Sequence, residues 1–387
     1  MENKYKVAFA TGSRADYGIV RKYISMLNED PSIDFSILAT GALLDEKFGN
    51  AKTIVEEDGF RIAFECKVDN KSEKLSDTTN IMAFVLQEFG KFFEENKYDL
   101  LLILGDRYEI YSVAIAAAMN RIPILHIHGG EITLANYDEF IRHSITKMAR
   151  FHFTSTEEYR KRVIQMGEVP ENVYYLGALG AENCKYIDMN HVDKRLLEFP
   201  EKKIFTVLFH PETLNAQSPL EQINELLYAI NNYIENYQFV FIGSNADTAS
   251  EVITNRVQEY CKEKSNAHFF VNLHPDSYHY LVKKSLALIG NSSSGIIEVP
   301  SLGSFTINIG NRQAGRVRGN SVIDVVCDCK AIDKAIAEVI NMVNCVEIKN
   351  PYYKKNSAVL YYQTTKKILA QAYKLDYKKF YDICYLK

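Results

Sequence analysis

Near the middle of the chain, Gly290-Asn291-Ser292-Ser293-Ser294-Gly295-Ile296-Ile297-Glu298 follows the apolar run Leu286–Ile289 and opens a helix-compatible run, Gly295–Ser301. An apolar strand, a small polar turn and a helix start together make an anion site. The turn leaves backbone N–H groups unpaired, and the helix N-terminus adds about half a positive charge. The hydroxyls of Ser292 and Ser293 suit phosphate oxygens, and Glu298 is placed to accept hydrogen bonds from sugar hydroxyls. Taken alone, the same residues also read as a serine-capped loop between a strand and a helix.

Other chemically able residues stand in comparable places. Thr11-Gly12-Ser13-Arg14-Ala15-Asp16-Tyr17-Gly18 follows the first apolar run, and its glycines lack the spacing of a dinucleotide fingerprint. Gly105-Asp106-Arg107 follows Leu100–Leu104, and His128-Gly129-Gly130-Glu131 follows Ile122–Ile127. Asp138-Glu139 and Arg142-His143 come next. Further along are His210-Pro211-Glu212, Gly243-Ser244-Asn245, Gly310-Asn311-Arg312-Gln313 and Arg316-Val317-Arg318. Each could be turn chemistry, but carboxylates gather in the first half of the chain, and serines, His210 and Arg312 in the second. That division suits a nucleotide-sugar enzyme. A diphosphate wants hydroxyls, helix N-termini and arginine forks, whereas a sugar carbon wants carboxylates and a histidine for proton transfer. The residues reach this class and leave glycosyl transfer and epimerisation both open.

The elements that must hold these loops are legible as alternating short apolar and amphipathic runs. Strands are predicted at Val7–Ala10, Phe35–Ala39, Leu100–Leu104, Ile122–Ile127, Phe151–Thr154 and Val173–Leu176. The pattern restarts after a polar stretch, with strands at Ile204–Phe209, Phe239–Ile242, His268–Val271, Leu286–Ile289 and Phe305–Ile309. Helical periods lie between them, which predicts right-handed βαβ units on parallel sheets. The fold class is therefore α/β, with two Rossmann-like doubly wound domains and a cleft between them. The expected domains are 1–188, carrying the carboxylate loops, and 189–357, binding the nucleotide. A helical segment, 358–387, follows them. At 387 residues, about two domains is also the prior from length alone.

Composition narrows the class. The chain is 47% apolar and 24% charged, with a net charge of −4, which gives no sign of nucleic acid or an acidic membrane as partner. No apolar run reaches the ~18 residues of a membrane span, and the N-terminus lacks the form of a secretory signal. Seven scattered cysteines do not make a disulfide framework. The close pair Cys327 and Cys329 has no further ligand at zinc spacing, so no metal is expected. A reduced, cytoplasmic protein is the expectation.

Seven motifs in order carry a resemblance over essentially the whole chain: TGSRADYG from Thr11, LGDRYE from Leu104, HIHGGE from His126, DEFIRHSITK from Asp138, FHPE from Phe209, GNSSSGIIE from Gly290 and NIGNRQ from Asn308. Together they resemble the hydrolysing UDP-N-acetylglucosamine 2-epimerases of bacterial sialic-acid and polysialic-acid synthesis. The resemblance implies a GT-B-like fold, with the final helix packing back on the first domain. It implies conversion of UDP-N-acetylglucosamine and water to N-acetylmannosamine and UDP, through anti elimination to 2-acetamidoglucal and syn hydration. It implies a UDP-sugar substrate, no NAD or flavin, and a homodimer or homotetramer. Carried over by position, Asp106, Asp138 and His210 are catalytic, and Arg14, Arg107, Ser244, Ser292, Ser293, Gly295, Glu298 and Arg312 bind substrate or UDP. Other branches carry a glutamate where this chain has His128, so Glu131 is expected to supply the carboxylate, with His128 participating. The same chemistry on a UDP-2,4-diacetamido-trideoxyhexose, a glycosyltransferase of similar fold and a nucleotide-sugar sensor are the alternatives.

Overall fold

Leu100-Leu101-Leu102-Ile103-Leu104 has no polar face, so as a strand it must be covered on both sides. The computed structural model buries all of it. Residues 4–45, 51–69, 75–133, 138–201, 203–212, 217–243, 250–271, 273–342, 345–371 and 377–383 are described.

The first sheet has seven parallel strands: β1 (Tyr5–Thr11), β2 (Ile33–Thr40), β3 (Ile62–Cys66), β4 (Leu100–Leu104), β5 (Ile124–Ile127), β6 (Phe151–Thr154) and β7 (Val173–Tyr175). Their order is β3-β2-β1-β4-β5-β6-β7. Helices α1 (Arg14–Glu29), α2 (Ala51–Glu57), α3 (Leu75–Glu95), α4 (Tyr108–Met119), α5 (Asp138–Met148) and α6 (Glu157–Gln165) provide the crossovers. Alternate residues of the central strands feed separate cores. Val7, Phe9, Leu102 and Leu104 pack on one face, and Ala8, Ala10, Leu101 and Ile103 on the other.

After α7 (Leu179–Asn183), the second sheet takes six parallel strands in the order β10-β9-β8-β11-β12-β13. These are β8 (Ile204–Leu208), β9 (Gln238–Ile242), β10 (Ala267–Phe270), β11 (Ala287–Gly290), β12 (Phe305–Ile309) and β13 (Val322–Val325). Helices α8 (Pro219–Ile230), α9 (Ser250–Glu263), α10 (Pro275–Lys284), α11 (Ser294–Ile297) and α12 (Cys329–Met342) accompany them, and α13 (Ser357–Ala370) closes the helical count. The architecture is the predicted pair of Rossmann-like α/β sheets.

Two strands escape the sequence reading, β3 and β13, and both lie at sheet edges. Each is largely half-exposed and carries a charge, Glu65 or Asp324, so neither shows the apolar run of a central strand. The chain forms two compact units. The first comprises the chain to Glu131, the stretch ending at Leu179 and the chain from Lys354 onward; Gly180–Tyr353, with the short segment that begins at Ile132, makes the second. In the first unit, α13 packs on α1. Tyr23 and Thr365 share a buried hydroxyl pair at 2.6 Å, and Tyr361 donates to the Gly177 carbonyl at 2.8 Å. Six described cysteines are free thiols. Among the described residues, no helix is long and apolar enough to cross a membrane.

The chain beyond α13 returns to the C-terminal end of α5. Lys378 donates to the carbonyls of Lys147 and Ala149, each at 2.6 Å, where the helix leaves its last carbonyls unpaired. Its ammonium also lies 2.8 Å from Glu168, a buried carboxylate that Lys147 (2.6 Å) and His152 (3.1 Å) approach as well. Burial alone would raise the Glu168 carboxyl; the hydrogen bonds from His152, Lys147 and Lys378 outweigh it and bring it down to about 2. Burial also depresses the His152 imidazole, which donates to Glu168 as the neutral ring.

A carboxyl whose folded pKa is depressed contributes stability above its unfolded value and loses it as pH falls toward the folded value. Glu168 should therefore contribute on the order of 3 kcal/mol above about pH 4.5, fading toward pH 2. The melting temperature of Glu168→Gln should lie below that of the unsubstituted protein at pH 7. The gap should narrow as pH drops below about 4.5; a gap independent of pH would remove this ion cluster from the stability of the unit.

Candidate active site

In a parallel sheet, the loops after successive strands emerge along one edge, and the chemically able loops of the first unit follow β1, β4 and β5. Asp106 stands two residues past β4, and His128 immediately past β5. His128 continues the strand pairing, donating its N–H to the Phe153 carbonyl at 2.8 Å, but its φ is +65°. Left-handed backbone at a residue with a Cβ costs about 1 kcal/mol or more, and such positions gather at functional sites. Gly130 then needs its own positive φ, +79°, and a Cβ there would lie 2.7 Å from the Tyr159 carbonyl oxygen. This turn brings the Glu131 carboxylate back beneath the His128 ring. The two side chains are nearly buried and lie 3.6 Å apart, Nδ1 to Oε1. Ser155 donates to the same Glu131 oxygen at 2.6 Å.

Arg142 joins this pair to Asp106. Its guanidinium is buried, donates to the Glu131 carbonyl at 2.9 Å and forms an ion pair with Asp106. It also lies 3.6 Å from Glu139. Asp138 opens the same helix, α5, one turn before Arg142. Asp106 and the backbone of Glu131, both expected from the sequence, thus meet at Arg142, which the sequence names in its loop without a role, and His128 reaches the same Glu131 through its side chain. The available signal was its place four residues after Asp138, one helical turn along the same face. His126 is a different kind of histidine. It is fully buried, with its ring nitrogens 2.8 Å from the Gly105 carbonyl and 3.0 Å from the Thr146 hydroxyl, and burial holds its pKa down to about 3.

A second group lies after β1 and at the start of α4. Arg107 pairs with the buried Glu109 carboxylate. Gly12 makes room for this pair, since a Cβ there would fall 2.4 Å from the Glu109 carboxylate. Asp16, in the first turn of α1, faces Arg107; burial pushes its carboxyl up to about 6, against the pull of Arg107 and of the Ser13 hydroxyl. A carboxyl that holds its proton until near neutrality can act as an acid there. In the sequence Asp16 stands out only as part of the TGSRADYG motif. Arg14, by contrast, is exposed on the first turn of α1 and joins neither group.

In the second unit the hub is Asn291, which is fully buried. Its side chain accepts from the His210 N–H and donates to the His210 carbonyl, both at 2.8 Å. Its own carbonyl accepts from Arg312 at 3.2 Å and from Gln313 at 3.0 Å. Glu212 accepts from the N–H groups of Asn311 and Arg312, each at 2.8 Å, and so fixes the turn that presents Arg312. His210 and Arg312 are therefore tied to the serine turn through backbone and amide contacts.

The serine turn itself differs from the sequence expectation in one respect. Helix α11 is a single turn, and Gly295 and Ile296 spend their N–H groups on the Ser292 and Ser293 carbonyls, both at 3.1 Å. A helix this short has little macrodipole, so hydroxyls carry the polarity. Ser292 and Ser294 lie 3.0 Å apart, Ser294 reaches Tyr278 at 2.6 Å, and the Ser293 hydroxyl has no partner among the described residues. Gly295 serves packing, since a Cβ there would meet Thr306 Cγ2 at 2.8 Å. Glu298 follows α11 and lies 3.2 Å from His279 Nε2, a partner on α10 that no motif announced. Ser244 lies outside the described residues.

The model of the UDP-N-acetylglucosamine 2-epimerase family matches residues 25–365. Over 383 residues the chain is 47% identical to polysialic acid biosynthesis protein P7 of Escherichia coli, covering 98% of this chain and 97% of that one. It is 35% identical over 326 residues to the GDP/UDP-N,N'-diacetylbacillosamine 2-epimerase (hydrolyzing) of Campylobacter jejuni, covering 83% and 84%. The fold is similar to that of UDP-GlcNAc 2-epimerase from Neisseria meningitidis, solved bound to UDP-GlcNAc, with a TM-score of 0.77, 18% identity and coverage of 94% and 100%. By the extent of these matches, and by loops that fall where both sheets present them, the chain belongs to the UDP-N-acetylglucosamine 2-epimerase family.

Proposed function

We propose that this enzyme is a hydrolysing 2-epimerase that converts UDP-N-acetylglucosamine and water into N-acetylmannosamine and UDP. The observation that carries the reading is the buried His128–Glu131 pair, set in left-handed backbone beside the Asp106–Arg142 ion pair. Identity of 47% to a polysialic acid biosynthesis protein and the match to the UDP-N-acetylglucosamine 2-epimerase family support the reading.

The Ser292 and Ser293 hydroxyls and the Arg312 guanidinium take the diphosphate, with Arg14, Arg107 and Ser244 as further binding groups. Glu298, oriented by His279, accepts from the ribose hydroxyls. The C2 proton of the sugar is weakly acidic, so departure of UDP leads. The C1–O bond breaks, its electron pair leaves on the diphosphate, and positive charge grows at C1 and the ring oxygen. His210 and Arg312 stabilise the leaving charge. Glu131, coupled to His128, then takes the C2 proton, and the C–H electrons close the C1–C2 double bond of 2-acetamidoglucal. In the second half one of Asp106 and Asp138 delivers a proton to the opposite face of C2, the C1–C2 π electrons forming the new C–H bond; a water oxygen then bonds C1 and gives its proton to the other carboxylate. The electrons stay within substrate and water, so the balance calls for no redox partner. The diacetamido sugar nucleotide of the Campylobacter relative would use the same groups and is the second reading.

Proton NMR of the reaction in D2O tests the proposal. The expected products are free UDP and N-acetylmannosamine deuterated at C2. Release of UDP with the C2 proton retained would sink the mechanism. An inert substrate alongside turnover of the diacetamido analogue would favour the second reading.

Asp106→Asn and Glu131→Gln should each lower kcat by on the order of 10²–10⁴ while UDP affinity stays within about twofold. Full turnover in either variant removes that residue from the chemistry. Ser293→Ala should weaken UDP binding roughly tenfold with a smaller effect on kcat, and calorimetry would read the difference directly.

A further inference from the structure

On β5 itself stands a histidine that the proposed reaction does not use. We infer that His126 is a positioning residue for that reaction, a role that rests on the proposed function: its imidazole ties the turn that carries Asp106 to the helix that carries Asp138 and Arg142.

His126 is fully buried, and both of its ring nitrogens are engaged. Nε2 lies 2.8 Å from the Gly105 carbonyl, which can only accept, so this nitrogen carries the ring proton. Nδ1 then presents a lone pair, and the Thr146 hydroxyl lies 3.0 Å from it. The same hydroxyl is 3.0 Å from the Arg142 carbonyl, which inside α5 already accepts a helical N–H. The single hydroxyl proton therefore goes to the ring. Burial keeps the imidazole neutral, pushing its pKa down to about 3, and the nearby rings of His152, His128 and His143 oppose a charge as well.

Gly105 is gripped at both ends by β5. Its N–H donates to the Ile127 carbonyl at 3.1 Å, its carbonyl accepts from His126, and its φ is +73°. Asp106 is the next residue, so this grip sets the direction in which the chain delivers its carboxylate. On the other side, Thr146 stands one helical turn after Arg142, along the same face of α5. The β4 turn and α5 are thus joined twice, by Asp106 with Arg142 and by Gly105 with Thr146 through His126. One tie sets a separation and leaves rotation open. Two ties about 6 Å apart along the helix fix both.

Gly129 supports the role independently. It does not take positive φ, so its backbone does not call for glycine. A Cβ there would instead lie 3.0 Å from His126 Nδ1 and 3.0 Å from the Thr146 hydroxyl. The first glycine of the pair before Glu131 makes room for this hydrogen bond, as the second makes the turn. Ile124, two residues earlier on the same face of β5, joins an apolar cluster with Ile103, Ile141 and Ile145. A leucine at 126 would suit that cluster; the imidazole instead satisfies the Gly105 carbonyl and reaches Thr146 at once.

The test compares Thr146→Val, which removes the hydroxyl, with Thr146→Ser, which keeps it, and with His126→Asn, which can reach Thr146 but is too short for Gly105. Each is assayed with UDP-N-acetylglucosamine and with the diacetamido analogue, well below its melting temperature. Thr146→Val should lose kcat on the order of tenfold and His126→Asn on the order of a hundredfold, with KM and UDP affinity within about twofold. Thr146→Ser should restore most of the kcat. Nitrogen-15 NMR of the full chain should place the His126 ring proton on Nε2, exchanging slowly with solvent, from about pH 5 to 8. Unchanged kcat in Thr146→Val, an equal loss in Thr146→Ser, or a ring proton on Nδ1 would overturn the assignment; the Thr146 pair decides if His126→Asn does not fold. The NMR readout needs no substrate, so its failure counts against His126 alone. Absence of turnover in the unsubstituted protein would instead overturn the reaction, and the positioning role with it.

Discussion

Parallel pairing of the central strands is the constraint on which the rest depends. In the first sheet β4 pairs with both β1 and β5, with Ala10 opposite Ile103 and Leu104 opposite Ile127. In the second, β11 pairs with β8 and β12, and Gly290 is opposite both Leu208 and Asn308. Once these registers are set, every strand ends along the same edge, and each following loop must turn away within a few residues. That geometry concentrates strain. Gly105, His128, Gly130 and Gly310 all take positive φ at strand ends. At Gly290, where β11 passes closest to β8, a Cβ would stand 1.9 Å from the Leu208 carbonyl oxygen. Glycine meets that demand at four of these five places. At the fifth a histidine bears it, and the sheet register holds that histidine over Glu131.

Charge is the second organiser. A carboxylate taken out of water needs a cation or several donors. In the first unit several buried or half-buried carboxylates have one: Arg142 for Asp106, Arg107 for Glu109, Lys147 and Lys378 for Glu168. The two ends of α5 are thereby linked. Arg142 near its start orients Asp106 and the Glu131 turn, while Lys378 gathers the carbonyls at its end. Asp16 is the exception that sharpens the rule, because burial wins over Arg107 and its carboxyl titrates near neutrality.

What the sequence made legible follows from these same forces. Runs such as Leu100–Leu104 and Phe305–Ile309 are apolar on both faces and are visible as buried parallel strands; β3 and β13 lie at sheet edges, where half-exposure dilutes the pattern. Asp106, His128, Glu131 and His210 were readable because each stands at or just past a strand end. Arg142, Glu212, Asn291 and His279 were harder to see. Each acts through a partner that the fold brings near, as when Glu212 accepts from residues almost a hundred positions away. Local pattern fixes which loops are presented, whereas long-range contacts fix which side chains hold them in place.

Asn291 shows why one of those hidden residues admits little substitution. Its amide must accept from the His210 N–H and donate to the His210 carbonyl at once, so it needs one oxygen and one nitrogen. An aspartate would set a charged oxygen against that carbonyl in a fully buried place, and a leucine would leave two backbone groups unsatisfied. The backbone carbonyl of the same residue gathers Arg312 and Gln313. One amide thus fixes the spacing between the histidine loop, the serine turn and the arginine loop. Because α11 is too short to attract an anion through its dipole, the proposed diphosphate site needs the serine hydroxyls and the Arg312 guanidinium held at fixed positions by side-chain contacts. The buried asparagine supplies that fixity, and the proposed site would be built outward from it.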